Sequence, residues 1–354
     1  MKKKKKEVTI YDIAEELNVS ATTVSRALND HFSIGKKTTQ AVKKLAKEMG
    51  YRPNIIASGL RKNKTNAIGV IVSWINRPFI SSLISGIEDV ADKAGYNVII
   101  SQSNDSFEKE ITKAQTLYAS RVEGLIVSLA MDTKSYNHFY PYRQNNIPIV
   151  FVDRVSFEME TDKVIINNFD AAFTATEHLI EMGCKRIAHF AGAQHRNIYK
   201  ERQDGYIHAL KKHNLPVDEQ LILHSNLSME EGWKGTRRLL SLSHPPDAIF
   251  SANDSAAVSA IQCAKEMGIR IPEELAVAGF NNDRISSIVE PPLTTINHPA
   301  IDMGKIAAQQ VLKQKKNREM VESETVILKT ELIIRQSSMR NRLAKGPTSD
   351  SESC

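Results

Sequence analysis

Two short stretches with helical hydrophobic spacing lie near the start of the chain, separated by a tight turn. One face of each predicted helix is apolar, through Ile13, Ala14 and Leu17 in the first and Val24, Ala27 and Leu28 in the second. Thr9 and Ser20 precede the helices as N-cap candidates, because their hydroxyl groups can accept an early backbone N–H. A third helical stretch ends at Gly50, a typical C-terminal cap. Three short helices around one small core are typical of a helix-turn-helix domain, whose second helix enters the DNA major groove.

From residue 67 the hydrophobic pattern changes to alternating strands and helices. The first strand-like runs are AIGVIVS, YNVIISQS, VEGLIVSLA and IPIVFVD, and the alternation starts again at DKVIINN. Repeated strand and helix units predict parallel sheets covered by helices on both faces. We therefore predict an α/β core of two consecutive Rossmann-like units. A further helix, 301–313, and one final strand, ETVILKTELIIRQS, then take the chain between the units more than once.

Charge is distributed unevenly along the chain. Residues 1–64 contain 15 Lys or Arg against 6 Asp or Glu, whereas the remaining residues contain 32 against 35. A basic front segment on a slightly acidic body is the pattern expected of a DNA-binding module, because neutralised phosphates release counterions and supply affinity without sequence preference. The lysines at positions 2–6 are expected to add such affinity.

The composition is that of a globular protein, with 41% hydrophobic and 25% charged residues in a chain of 354. No apolar run is long enough to predict a membrane span, and no signal-type apolar segment follows the N-terminal lysines, so we expect a cytoplasmic protein. Cys184, Cys263 and Cys354 are widely separated, which favours reduced thiols over disulfides or a zinc site. We expect no metal and no cofactor.

An enzyme is the other class of protein to consider, because α/β chains of this size are common enzyme scaffolds. The sequence contains no GxGxxG, GxxxxGK[ST], HExxH or GxSxG motif. His189, within RIAHFAG, is predicted to be a packed residue rather than a catalytic one. We therefore predict no active site. A sugar-binding or sugar-processing protein whose front helices serve packing alone remains the alternative, and a gel-shift assay on the protein's own promoter separates the two.

Five motifs in order connect the chain with a known family. They are VTIYDIAEELNVSATTVSRALND, GYRPNIIASGLRKNKTNAIGVIV, AGAQHRNIYKERQDGY, DAIFSAND, and VAGFNND followed by PPLTTINHP. With these motifs the sequence resembles the lactose-repressor/galactose-repressor (LacI/GalR) family of bacterial transcription regulators along nearly its whole length. The resemblance implies a DNA-reading headpiece, a hinge, and a core like the periplasmic sugar-binding proteins, with a small effector between two lobes.

With this resemblance the chain divides into four regions. The expected regions are a helix-turn-helix domain with a basic arm (1–52), a hinge (53–66), a core that binds effector and dimerises (67–338), and a disordered tail (339–354). Within the core the expected lobes are 67–157 with 298–322, and 158–297 with 323–338.

The resemblance assigns double-stranded DNA, as a pseudo-palindromic operator, to the headpiece and hinge. The family's base-reading positions correspond to Ala21, Thr22 and Arg26; Ser20, Thr23, Ser25 and Asn29 are better placed for phosphates or helix caps, and Thr9 and Tyr11 complete the expected headpiece contacts. Arg26 can bond a guanine bidentately, whereas Ala21 offers only a methyl group. In the hinge the resemblance implies contacts from Asn54, Ala57, Leu60 and Arg61, with Leu60 as a wedge between base pairs in the minor groove.

Effector contacts in the family correspond to Phe79, Arg196, Arg202, Leu227, Asn253 and Asn281. The family's usual acid is replaced here by Asn281, so two arginines with no facing carboxylate predict an anionic effector, a sugar acid or sugar phosphate, over a neutral sugar. Asp283 is the residue that can restore the charge balance. Arg77 and Arg154 are expected to be solvated rim charges. We further expect a homodimer, because no C-terminal leucine heptad is present, and a repressor released by its effector.

Overall fold

The computed structural model describes residues 8–51, 65–316 and 322–340, and the chain divides into two units at Thr65 and Asn66. The first unit contains helices α1 (Ile10–Glu16), α2 (Ala21–Leu28) and α3 (Lys36–Glu48). Both predicted N-caps are present, because Thr9 forms a capping box with Asp12 and the Ser20 hydroxyl accepts from the Thr23 N–H. Gly50 follows α3 with a φ of 69°, the left-handed conformation of a helix C-cap.

The three helices enclose a small apolar core. Its buried members are Ile13, Ala14, Val24, Ala27, Val42 and Ala46, which come from all three helices. Since each helix supplies only two of these side chains, none of the helices has a core of its own. The opposite side of α2 leaves Thr22, Arg26 and Asn29 exposed.

The second unit contains two six-stranded sheets, each of which forms one lobe. The first sheet has the order β11-β5-β4-β3-β1-β2 and is parallel throughout. Its strands are β1 (Ala67–Val72), β2 (Asn97–Gln102), β3 (Gly124–Val127), β4 (Ile149–Val152), β5 (Asp162–Ile166) and β11 (Thr325–Leu328). The helices α4 (Pro78–Lys93), α5 (Phe107–Ala119), α6 (Tyr140–Gln144) and α12 (Ala300–Lys316) belong to the same lobe.

The second sheet has the order β12-β10-β9-β8-β6-β7, and only its edge strand β12 is antiparallel. Its strands are β6 (Ile187–Ala191), β7 (Ile222–His224), β8 (Ala248–Ser251), β9 (Ala276–Asn281), β10 (Thr294–Asn297) and β12 (Glu331–Ile333). The helices of this lobe are α7 (Asn168–Glu181), α8 (Asn197–Lys212), α9 (Met229–Leu240), α10 (Asp254–Glu266) and α11 (Ile285–Ile288). The central strands of both sheets are buried on both faces, as predicted for parallel sheets between helices.

The expected lobe boundaries at 157/158 and 322/323 are wrong. Strand β5 pairs with β4 and β11 in the first sheet, where Val152 is the partner of Val164 and Ile166 is the partner of Leu328. The chain therefore crosses between the lobes three times, after β5, after β10 and after β11. The single predicted C-terminal strand is two strands in different sheets, because the backbone leaves the first sheet after Leu328 and pairs with β10 from Glu331.

Arg340, expected to belong to a disordered tail that starts at residue 339, instead bonds to the second lobe. The Arg340 guanidinium donates from Nε to the Pro272 carbonyl at 3.0 Å and from Nη2 to the Asp247 carbonyl at 2.6 Å. These bonds attach the end of the described chain to the second lobe. The rest of the expected tail, 341–354, lies outside the described residues.

His189 is a packed residue in strand β6. Its imidazole stacks on the Phe250 ring, with centroids 4.9 Å apart and an interplanar angle of 11°, and on Tyr206 on the other side. Burial lowers the pKa of His189 to about 3, so the ring is neutral at physiological pH.

No helix within the described ranges combines the length and apolar character needed to cross a membrane.

Candidate functional site

The cleft between the two lobes lies at the carboxyl ends of the strands, where open parallel sheets bind ligands. It encloses a cavity of about 360 Å³, within the size range of small-molecule sites. Each lobe supplies residues at the ends of its strands or directly after them: Ser73 and Asp153 from the first lobe, and Ala252, Asn281 and His298 from the second. The parallel topology therefore brings polar groups from distant parts of the sequence together in one cavity.

Arg202 is a buried cation in the wall of this cleft. Its Nε donates to Asn168 Oδ1 at 2.9 Å, its Nη1 donates to the Ala252 carbonyl at 2.8 Å, and its guanidinium lies over the Phe280 ring. Burial lowers the pKa of Arg202 to about 10, against the opposing effect of Asp153, so the side chain stays protonated at neutral pH. These contacts hold the guanidinium in one orientation beside the cavity.

Asp153, which follows β4 of the first lobe, lies close to His298, which follows β10 of the second lobe. The Asp153 Oδ1 and His298 Nε2 atoms are 3.9 Å apart, and both residues are buried. Burial, followed by the nearby Arg202, lowers the pKa of His298 well below its usual value, so the imidazole is neutral. Its Nε2 atom has no hydrogen-bond partner within the described part of the chain. A buried ring nitrogen without a partner on a cavity wall is suited to a ligand hydroxyl group.

Arg154 is an ion-paired residue of the cleft wall, not the solvated rim charge that was expected. It is buried, its Nη1 bonds Asp105, and its Nη2 lies 3.5 Å from the Tyr199 hydroxyl. Burial alone would lower the pKa of Arg154, but Tyr199, Asp105 and Asp153 together raise it. Asp105 also accepts from Trp74 Nε1 at 3.0 Å. The charge of Arg154 is therefore compensated within the protein.

Five of the six residues expected to contact the effector line the cavity: Phe79, Arg202, Leu227, Asn253 and Asn281. The ring of Phe79 stacks on His298, with centroids 4.2 Å apart. The Asn253 side chain caps α10 through the Ala256 N–H and donates to the Leu227 carbonyl at 2.9 Å, so it also positions that loop.

Three residues of the cleft have left-handed backbone conformations although none is glycine. The φ angles are 62° at Asp153, 58° at Leu227 and 116° at Asn281. Such conformations are unfavourable, above all for leucine, and they persist where the surrounding structure holds them. Their concentration around this cavity is typical of a functional site.

Arg196, the sixth expected residue, does not line the cavity. It is the N-cap residue of α8, and its guanidinium points to the first lobe, where Nε donates to the Met131 carbonyl at 2.8 Å and Nη2 to the Thr133 carbonyl at 2.5 Å. Arg202 lies six positions further along the chain, about 1.7 turns of helix, but Arg196 precedes the helix and has a different orientation. The structure thus separates the two arginines on which the predicted anion preference depended.

The charge balance of the cleft also differs from the prediction. Three arginines line the cavity, Arg77, Arg154 and Arg202, and three carboxylates lie beside them, Asp105, Asp153 and Asp283. Burial raises the pKa of Asp283 to about 6, with opposing effects from Asn281 and Arg77. Because this pKa is still below neutral pH, Asp283 is mainly ionised there. It contributes the negative charge that the position of Asn281 lacks.

Sequence reasoning missed Asp153, His298 and Tyr199 as cleft residues. Asp153 and His298 directly follow buried strands, at the edge where parallel sheets bind ligands, and this position was the available signal. Tyr199 lies in the first turn of α8, and no pattern in the sequence distinguishes it from a core tyrosine.

In the first unit the predicted DNA-contacting residues divide into two groups. The side chains of Thr9, Ser20, Thr23 and Asn29 form local bonds, three of them in N-caps and the fourth from Asn29 Nδ2 to the Ser25 carbonyl. Tyr11, Thr22 and Arg26 are exposed, and Ala21 and Ser25 are half-buried beside them. Outside the described residues lie the predicted hinge contacts Asn54, Ala57, Leu60 and Arg61 and the lysines at 2–6.

Among the residues that are described, no group of side chains could hold a metal ion.

Comparisons with known proteins agree with this architecture. Residues 9–54 match the model of the bacterial regulatory proteins of the lacI family, and residues 176–338 match a periplasmic binding protein-like domain. The chain is 33% identical to catabolite control protein A of Priestia megaterium over 332 residues, which cover 94% of this chain and 99% of the relative. It is 34% identical to the HTH-type transcriptional repressor CytR of Escherichia coli K12 over 340 residues, covering 96% and 99%.

Solved structures show the same likeness. A lac repressor dimer bound to operator and the anti-inducer ONPF matches with a TM-score of 0.84 at 26% identity, covering 94% of this chain and all of that one. A complex of the transcriptional regulator CelR with cellobiose matches with a TM-score of 0.70 at 27% identity, with the same coverage. Transcription regulators match the helix-turn-helix unit and the two-lobed α/β core along almost the whole length, so this chain belongs to the LacI family of DNA-binding transcription regulators.

Proposed function

We propose that this protein is a repressor that binds a pseudo-palindromic operator as a homodimer in the cytoplasm and is controlled by a neutral sugar in the cleft between its lobes. The observation that carries this proposal is the cavity itself, in which buried, oriented polar groups from both lobes meet. The operator-bound dimer of the lac repressor, a relative of the same fold, supports the stoichiometry.

Base reading is assigned to the exposed side of α2. Arg26 and Thr22 project from the same side of this helix, one turn apart, and neither side chain forms a hydrogen bond or ion pair within the described residues. An arginine free in this way can bond the O6 and N7 atoms of a guanine, the commonest specific contact in the major groove. Ser20, Thr23 and Asn29 support the helix ends, and their remaining hydrogen-bonding capacity is available to phosphates.

The hinge is proposed to act in the minor groove, through residues that lie outside the described ones. Leu60 is the proposed wedge, supported by Arg61 and by contacts from Asn54 and Ala57. Replacement of Leu60 by Ala should weaken operator binding and bending while weak, salt-sensitive binding through the headpiece remains. Unchanged bending would show that the segment only connects the two units.

A neutral sugar is favoured because the charges around the cavity are already matched. Arg154 is paired with Asp105, and Arg202 lies near Asp153. A ligand phosphate or carboxylate would add an unmatched negative charge to a buried site, which is unfavourable. Sugar hydroxyl groups, in contrast, can both donate, to Asp153 or to the free Nε2 of neutral His298, and accept from Arg202. The cellobiose complex of CelR shows that a relative with this fold holds a neutral sugar.

Control by the effector follows from the position of the cleft. Each lobe supplies part of the cavity, so a ligand that bonds both lobes favours one lobe orientation over another. The effect on DNA binding is limited to the difference in effector affinity between the two orientations. We propose that the effector-bound orientation has the lower operator affinity, as in a repressor released by its inducer.

Footprinting of the purified protein on its own promoter tests the DNA-binding part. We expect protection of a pseudo-palindrome of about 14 to 20 bp, because two headpieces must reach half-sites on one side of the duplex. Protection of a single asymmetric half-site would contradict the dimer. No protection at salt concentrations that suppress nonspecific binding would favour the alternative, a sugar-binding protein without specific DNA recognition.

A further inference from the structure

The loop between α2 and α3 presents an aromatic side chain to solvent. Phe32 is 93% exposed, the highest value among the large apolar side chains of the described residues. Exposed apolar side chains are common singly and need no explanation alone. Phe32, however, is held in place by contacts of its own ring and of the neighbouring loop residues.

Three contacts hold the loop around Phe32. The ring stacks on His31, with centroids 4.5 Å apart and an interplanar angle of 25°. The Ser33 backbone N–H donates to His31 Nδ1 at 3.2 Å, so the imidazole supporting the ring is itself fixed. Asp30 forms an ion pair with Lys43 of α3 at 2.6 Å, which attaches the start of the loop to the domain. The aromatic side chain is thus oriented before any partner binds.

Phe32 is also continuous with the DNA-reading surface. The His31 N–H donates to the Arg26 carbonyl at 3.0 Å, so the loop turns directly at the end of α2. On its other side, α3 begins at Lys36 with an N-cap glycine that forms no side-chain cap, two lysines and no acid in its first turn. Free N–H groups and lysines at a helix start attract phosphate. Phe32 therefore lies between a helix proposed to read bases and a helix start suited to the DNA backbone.

We propose that Phe32 is a specificity-determining residue that contacts the 5-methyl group of a thymine in each operator half-site. A phenyl ring has no hydrogen-bonding group, so it cannot read the donor and acceptor pattern of the bases. The apolar group that the major groove offers is the thymine methyl, and Phe is among the side chains that contact it. This assignment deepens the proposed operator recognition and rests on it.

The test uses the full-length protein and an operator selected from a random duplex library. Each thymine of the selected operator is replaced in turn by deoxyuridine, which removes only the 5-methyl group, and dissociation constants are measured by fluorescence anisotropy. At one thymine per half-site we expect wild-type affinity to fall about fourfold, the effect of one buried methyl group. Phe32→Ala should bind the unmodified operator more weakly and be insensitive to deoxyuridine at that thymine.

Two further variants make the result specific. Phe32→Leu keeps an apolar side chain and should retain part of the deoxyuridine effect. Phe157→Ala removes the same side chain from a 65%-exposed position in the first lobe, outside the DNA-binding unit, and should bind like wild type. Thermal melting checks that each variant is folded.

Three outcomes would overturn the proposal. Equal deoxyuridine sensitivity in wild type and Phe32→Ala would exclude a contact between this ring and a thymine methyl. Equal weakening of Phe32→Ala on operator and random DNA would place the ring on the sugar–phosphate backbone. Selection of no sequence by the wild type would refute operator recognition itself, and the thymine contact with it.

Discussion

The guanidinium carbon of Arg202 lies 3.6 Å from the centroid of the Phe280 ring. This cation–π contact and the bonds to Asn168 and Ala252 hold a charged group in the interior of the second lobe. A buried arginine is unfavourable unless its donors are satisfied, so its retention beside a cavity points to a ligand. Substitution of Arg202 therefore tests effector binding in the cleft.

Arg202→Lys should lower effector affinity by about tenfold or more while operator binding without effector stays near wild type. Lysine keeps the charge but cannot donate to Asn168, Ala252 and a ligand in the same plane. Isothermal titration with the sugar that stabilises the wild type measures the loss. Arg238→Lys, on the exposed surface of α9, is the matched control and should bind normally. Normal effector affinity in Arg202→Lys would remove Arg202 from the site.

Arg26→Ala should weaken operator binding by about 1 to 3 kcal/mol and relax discrimination at one base pair in each half-site. The reason is the loss of a bidentate contact to one base. Binding to a set of operators with single base-pair changes measures both effects. An equal loss on operator and random DNA would instead make Arg26 a phosphate contact.

His189→Phe should reduce the loss of stability on acidification. In the folded protein the pKa of His189 is lowered to about 3 by burial, whereas the unfolded chain binds this proton near pH 6.5. The stability that depends on neutral His189 is therefore complete above pH 6.5 and decreases by up to about 1.4 kcal/mol per pH unit as the pH falls towards 3. Urea unfolding at several pH values measures the slope. His244→Asn, at an exposed position, should leave the slope unchanged; an identical slope in His189→Phe would show that other groups cause it.

Gly86→Ala should destabilise the first lobe by about 1 to 3 kcal/mol through overpacking. A Cβ atom at Gly86 would lie 2.0 Å from the Ile301 carbonyl oxygen, because α4 and α12 pack closely there. Thermal and urea unfolding measure the change. Ser85→Ala, the exposed neighbour on the same helix, should have no comparable effect. Wild-type stability of Gly86→Ala would mean that α4 and α12 can move apart without a loss in the free energy of unfolding.

Local structure was predictable where one residue determines it. Thr9 and Ser20 are N-caps because a hydroxyl group before an apolar helical pattern satisfies free N–H groups, and both occur as predicted. Strand partners were less predictable, because buried parallel strands are apolar throughout and the pattern does not identify their neighbours. The hydrophobic pattern consequently predicts the wrong lobe for strands β5 and β11.

The cleft was predictable as a place but not in its charges. Phe79, Arg202 and Asn281 line the cavity as expected. Arg196 does not, because a side chain at a helix N-cap can point away from the residues that follow it, and sequence does not show that direction. The compensating Asp105 and Asp153 belong to other elements of the chain, so only the folded structure brings them to Arg154 and Arg202.

The central claim is that a neutral sugar in the cleft controls operator affinity. The most direct measurement is the dissociation constant of the operator by fluorescence anisotropy, in the presence of hexoses, pentoses and cellobiose and of the matched hexuronates and hexose phosphates. We predict that one neutral sugar raises this constant by about 5- to 150-fold in the wild type and has little effect in Arg202→Lys, while its charged counterpart is inactive. An effect confined to the charged compounds, or an equal effect in wild type and Arg202→Lys, would contradict the account.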